Sequence, residues 1–152
     1  MARHFIFESG AWLGAGQVTF SISPDMLYYR TRWDIFEQGK EKEKLFQCTQ
    51  RVEIVGGDQM VNVFMVRPET ELAFEITLHN QLLGVYSGLG VVEEKLVAWE
   101  FRSKGMLEGY EVYERTKEDE YEMHAEYVSS DGARTMIRGK IWKESKEGSS
   151  SE

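Results

Sequence analysis

"SGAWLGAGQVTF", Ser9–Phe20, alternates like a β-strand yet sets three glycines beside a tryptophan. Glycine weakens a strand unless another backbone or a large side chain takes the space it leaves. The even positions (Trp12, Gly14, Gly16, Val18, Phe20 and Ile22) form one face. A turn centred on Pro24-Asp25 pairs Ile22 with Leu27, Phe20 with Tyr29, Val18 with Thr31 and Gly16 with Trp33. Residues opposite each other in an antiparallel pair share a face. Leu27, Tyr29, Thr31, Trp33 and Ile35 therefore point inward, with Arg30, Arg32 and Asp34 outward. On this reading Gly16 makes room for Trp33, and Trp12 closes one end of the enclosure.

The alternation continues to the end of the chain. After the charged loop "GKEKEK", Phe46, Cys48, Gln50, Val52 and Ile54 face in. A Gly56-Gly57 turn, suited to positive φ, passes the inward face to Gln59, Val61, Val63 and Met65. "RPET" passes it to Leu72, Phe74, Ile76 and Leu78, and a turn at His79-Asn80 to Leu83, Val85 and Ser87. "GLGVVEEK" resets the register. Val97, Trp99 and Phe101 then pair across "SKGM" with Val112 and Tyr110; Tyr121, Met123, Ala125 and Tyr127 follow. The glycine of "SDG" turns the chain into Thr135, Ile137, Gly139 and Ile141. About ten sequential strands with one apolar face each do not stay open as a flat sheet. The predicted fold is all-β: an antiparallel up-and-down barrel over residues 1–143, whose closure removes both edges. Residues 144–152, "ESKEGSSSE", read as a polar, disordered tail.

Composition bounds the partners. The 152 residues carry 26 acidic against 18 basic side chains, a formal charge of −8. Such a surface repels phosphate backbones and anionic lipid, so neither nucleic acid nor membrane is an expected partner. No apolar run is long enough for a membrane-spanning helix, and "MARHFIFESGAW" lacks the form of a signal peptide. With a single cysteine, Cys48, the sequence fits a reducing, cytoplasmic setting.

"GAWLGAG" resembles the Gly-x-Trp opening of the calycins, the superfamily of lipocalins and fatty-acid-binding proteins. It is closer in style to the "GTWxGxG" start of nitrobindin-like and related lipocalin-like ten-stranded barrels. "YEMHAEYVSSDGARTMIRGKIWKE" is similar to the last hairpin of those domains. The chain departs from fatty-acid-binding proteins in having no helical pair after the first strand, and from true lipocalins in having no C-terminal helix. The resemblance implies binding of a small apolar ligand or a cofactor.

Nitrobindin-like barrels hold haem through a histidine near the final strand, and "ARTMIRGKI" has none. His79 reads as a turn residue, His124 as outward and His4 as preceding the barrel, so no cofactor is expected. Capture of a carboxylate ligand needs an inward arginine. Arg30, Arg32, Arg102, Arg115, Arg134 and Arg138 all fall on outward positions, although Glu100, Arg102, Glu111 and Arg115 would line the lumen if their hairpin were inverted. Cys48 faces in among apolar residues, where a thiol is inert. No cluster has metal-ligand spacing, and "GLG" at Gly88–Gly90 lacks the lysine of a phosphate loop.

What remains is the lumen. Its expected lining is Tyr29, Trp33, Cys48, Gln50, Phe74, Trp99, Tyr110 and Tyr127. A few uncharged polar groups among apolar ones form a usual small-molecule pocket. The sequence reads as a non-catalytic binder of a small, largely apolar, uncharged molecule, with no catalytic and no metal-binding residues. The alternatives are an interaction domain with a filled barrel, or a haem-binding or lumen-acting enzyme variant of the same fold.

Overall fold

The computed structural model describes residues 3–39, 43–103 and 106–145. Among them, ten strands follow one another in antiparallel order: β1 (Gly10–Phe20), β2 (Ser23–Gln38), β3 (Leu45–Ile54), β4 (Gln59–Pro68), β5 (Ala73–Asn80), β6 (Gly84–Val92), β7 (Leu96–Ser103), β8 (Leu107–Lys117), β9 (Glu120–Val128) and β10 (Arg134–Lys143). Each pairs with its chain neighbour, and β10 returns to β1, so the barrel is closed. Among the described residues no helix is long and apolar enough to cross a membrane. Glu144 still belongs to the barrel, because its amide donates to Ala11 O and its carboxylate accepts from Arg32 Nη1 at 2.7 Å. Residues 146–152 of the expected tail lie outside the described residues.

The faces of β1, β2, β3, β5, β7, β9 and β10 follow the sequence alternation, but three strands are inverted. Each inversion comes from a hairpin whose register differs from the expected one by an odd number of residues, since a one-residue slip turns every side chain over. The chain turns between β5 and β6 at 81–83, and His79, expected in the turn, lies on β5. Between β3 and β4 the pairing is Val52 with Met60, so Met60, Asn62, Phe64 and Val66 face in and Gln59, Val61, Val63 and Met65 face out. Ile54 N–H donates to Asp58 O around an odd-length loop, with Gly56 at φ 77°. On β6, Tyr86, Gly88 and Gly90 face in, leaving Val85 exposed. On β8, Val97 pairs with Tyr113 rather than Val112, which turns Glu111 inward and Tyr110 outward.

The first hairpin keeps its parity but not its partners. It turns at Ser21-Ile22, and a bulge between Thr19 and Phe20 restores the strand. From Thr19 back to Gly10 the register is thereby moved by four residues, an even number. Gly16 stands opposite Tyr29, not Trp33, and Trp33 stands opposite Trp12. Ile22 and Leu72, expected inside, are exposed. Gly132, at φ 88°, makes the last hairpin turn as expected.

One end of the barrel is closed by more than Trp12. A single turn of 3-10 helix, Phe5–Phe7, inserts Phe5 and Ile6 into the lumen. Phe5 meets Trp12, Trp33, Tyr113 and Tyr121 at centroid distances of 5.7, 5.3, 5.0 and 5.2 Å. Beneath them, Trp33 stacks on Phe64, and Trp99 on Tyr113. This half of the barrel is solid.

His4 pins the plug. Glu93 O can only accept, so His4 Nε2 donates to it at 2.6 Å, leaving Nδ1 to accept from Tyr121 Oη at 2.9 Å. Tyr121 Oη in turn accepts from Phe5 N and from Arg115 Nη2. Arg115, expected on the outer surface, thus turns onto the closed end of the lumen. Burial lowers the His4 pKa below 6.5; the Glu93 bond opposes the shift and the Arg115 charge adds to it. With the folded pKa depressed, the unfolded chain holds the extra proton as pH falls below 6.5. The stability is therefore full above that pH and is lost as pH falls toward the folded pKa. Urea unfolding at about pH 7.5 and about pH 5.5 should show a loss for the natural chain and a smaller one for His4→Gln. Glu111, whose carboxyl burial raises, acts in the opposite direction. The His4 contribution is therefore the difference between the two chains.

Candidate ligand cavity

Toward the opposite end, where β1 turns into β2, the lumen holds a cavity of about 380 Å³. Val18, Val52, Ile54, Phe64, Leu78, Met123 and Ile137, from β1, β3, β4, β5, β9 and β10, line it. It reaches solvent beside Met60 and Leu83, which are 43% and 47% exposed. The volume lies within the range of small-molecule pockets, and the lining is mostly apolar with a few polar groups, the usual composition of such sites.

The polar groups fall on two walls. On one, Gln50 and Asn62 line the cavity and begin a ladder across β3, β4 and β5 that ends behind them at Asn80. Asn62 Nδ2 donates to Gln50 Oε1 at 3.0 Å, and Asn80 Nδ2 to Asn62 Oδ1 at 2.6 Å. Asn80 Oδ1 accepts from the amides of Leu82 and Leu83, which fixes the top of the ladder to the β5–β6 turn. On the other wall stand Tyr29, Tyr127 and Glu111. Tyr113 Oη donates to Glu111 Oε1 at 2.7 Å, and Tyr127 Oη donates to Oε2. Burial pushes the Glu111 carboxyl above the ordinary carboxylate range, and the two phenol bonds oppose that shift. Both phenols are raised well above their usual value, first by burial and then by the Glu111 charge.

Tyr29 lies flat across a notch made by two glycines. Tyr29, Gly16, Gly139 and Met123 form one cross-strand row over β2, β1, β10 and β9. A Cβ on Gly16 or Gly139 would stand 2.7 or 2.4 Å from Tyr29 Oη. The hydroxyl reaches over both strands to donate to Met123 Sδ at 3.5 Å. Gly16 of the first strand and Gly139 of the last thus make room for an aromatic ring that lines the cavity.

Of the eight lining residues expected from sequence, Tyr29, Gln50 and Tyr127 line this cavity. Trp33, Cys48, Phe74 and Trp99 face inward but are packed in the solid half. The Cys48 thiol sits against Ile6 O and burial pushes its pKa up to about 12. Tyr110 is on the outside, 39% exposed, with its ring edge against His124, because the β7–β8 register differs by one residue from the expected one. The same difference turns in Glu111 and Arg115, as expected of an inverted β8, and with them Tyr113, while Glu100 and Arg102 on β7 stay outside. The β3–β4 loop hid Asn62. The lumen expected to be uncharged contains a buried carboxyl. Among the described residues no histidine lines the cavity: His79 and His124 are exposed, and His4 is bonded at the closed end.

No protein-family model matches this sequence, and no curated protein matches it. Solved structures do match in shape. The S-type phycobiliprotein lyase CPES from Guillardia theta superposes with a TM-score of 0.68 at 9% identity, covering 90% of this chain and 88% of that one. Rv2717c from M. tuberculosis gives a TM-score of 0.70 at 13% identity, over 90% and 92%. At such identities the likeness concerns the fold alone. It corrects one expectation: a barrel of this shape serves a lyase, so the non-catalytic reading does not follow from the architecture. This chain is an all-β, closed ten-stranded antiparallel barrel of the calycin-like fold.

Proposed function

We propose that this protein binds a small, largely apolar molecule in the open half of its lumen. The supporting observation is the division of the barrel. Aromatic side chains fill one half, and a cavity of about 380 Å³ with an apolar lining occupies the other. Gln50 and Asn62, held in place by Asn80, supply hydrogen-bonding groups that would orient the molecule. The Gly-x-Trp opening at Gly10–Trp12 supports a place beside the nitrobindin-like barrels, and the single buried thiol supports a reducing, cytoplasmic setting.

The test is uptake of N-phenylnaphthylamine, a neutral probe that fluoresces in apolar surroundings. The natural chain should bind about one probe per chain. Val52→Trp and Thr135→Trp each place an indole in the cavity and should weaken uptake by at least about tenfold, equivalent to about 1.4 kcal/mol. Cooperative unfolding of each variant confirms that the barrel remains. No uptake by the natural chain, or uptake unchanged in both folded variants, would favour a filled interaction domain instead.

A further inference from the structure

We propose that the cavity selects an apolar amine, protonated at neutral pH, and that Glu111 receives its nitrogen. This rests on the reading of the lumen as a ligand site and adds the polar group that the ligand carries. Glu111 lines the cavity although it is only 7% exposed. Both of its phenolic neighbours are donors toward it, one on each oxygen. An ionised carboxylate offers about four lone-pair sites, so two acceptor positions remain beyond the bonds to Tyr113 and Tyr127.

What the site lacks is a cation. Among the described residues no lysine, arginine or histidine lines the cavity. The titratable groups facing Glu111 are Tyr29 from β2, Tyr113 from its own strand and Tyr127 from β9. In register it stands opposite Trp99 on β7 and Ala125 on β9, neither of which titrates. A buried carboxylate with hydrogen bonds but no counter-charge is costly, and a ligand that brings the positive charge removes that cost. A carboxylic acid ligand meets repulsion at the same point. An uncharged ligand gains nothing from Glu111 beyond a neutral hydrogen bond. The amide ladder on the opposite wall has both donors and acceptors and does not discriminate by charge. Glu111 is therefore the selecting group.

Three competitors of one shape separate these cases: naphthylmethylamine, naphthylmethanol and naphthoic acid, each displacing N-phenylnaphthylamine at neutral pH. The amine should bind roughly 10–100-fold more tightly than the alcohol, the span that a charged hydrogen bond contributes, and the acid more weakly than either. Glu111→Gln should bring amine and alcohol to within about threefold of each other. The neutral probe's affinity for that variant shows whether its cavity persists. Calorimetry on the natural chain in buffers of different ionisation enthalpy gives a second readout without any substitution. Burial raises the Glu111 carboxyl and a bound cation favours its ionised form, so the amine should bind with more proton release than the alcohol. Equal binding of amine and alcohol by a natural chain that takes up the probe overturns the inference and leaves the ligand site standing. A natural chain that takes up no probe overturns both.

Discussion

Replacing Phe5 with alanine should destabilise the barrel by about 3–5 kcal/mol, the usual consequence of deleting a buried large aromatic. Phe5 is 2% exposed and packs against four aromatic rings from β1, β2, β8 and β9. Its loss opens a void that the surrounding strands, tied to one another all round the barrel, have little freedom to close. Denaturant unfolding of the variant gives the number. A loss below about 1 kcal/mol would mean that the 3-10 helix rests on the barrel end without supporting it. Because Phe5 lies in the solid half, uptake of the neutral probe should survive the substitution while stability falls. That contrast separates the plug from the ligand cavity.

The architecture was legible in the sequence because period-two alternation and closure leave few choices once ten hairpin-linked strands are present. The plug was not. "HFIF" is too short to show any period, and its burial is decided by the width of the barrel, which leaves one end to be filled by something outside the strands. A ten-stranded barrel is wider than one its inward side chains just fill. Here the excess is divided between the N-terminal plug and the cavity.

The misread strands share a physical cause. On β4, Val61, Val63 and Met65 are as apolar as Met60, Phe64 and Val66, so hydrophobicity does not choose a face. On β6, Val85, Leu89 and Val91 sit exposed on the outer surface, while Gly88 and Gly90 take the inner positions. On two of the three strands the inner face is marked as it is on β1, by glycine. Gly88, Gly90 and Gly109, like Gly14, Gly16 and Gly139, are inward glycines beside a large neighbour. A Cβ on Gly90 would stand 2.0 Å from the Phe74 ring, one on Gly88 2.9 Å from Phe101, and one on Gly109 2.4 Å from Tyr127. Applied to β8, that rule puts Gly109 inward, and with it Glu111 two residues on. The charged centre of the candidate site follows from a glycine.

Gly16→Val tests this role of glycine where it touches the cavity, and it should destabilise the protein by about 3 kcal/mol or more, the upper end of overpacking. Local preference argues the opposite sign. Valine is a better strand residue than glycine by up to about 1 kcal/mol, and Gly16 has no positive φ to protect. Contact should win. The new Cβ would lie 2.2 Å from Arg138 O, 2.7 Å from Gly139 Cα and 2.7 Å from Tyr29 Oη. Two of those three atoms are backbone of β10 and yield only if the β1–β10 pairing opens. The third belongs to a side chain that substitution can remove. In a double-mutant cycle with Tyr29→Ala, the added loss from Gly16→Val should therefore shrink by about 0.5–3 kcal/mol, the coupling of residues in contact. It should not vanish, because the clash with β10 persists. Additive losses would show that the Tyr29 ring does not rest on Gly16, and the notch between β1 and β10 would then need another occupant. A gain in stability from Gly16→Val would place that residue on the outer face and invert the strand on which the whole register rests.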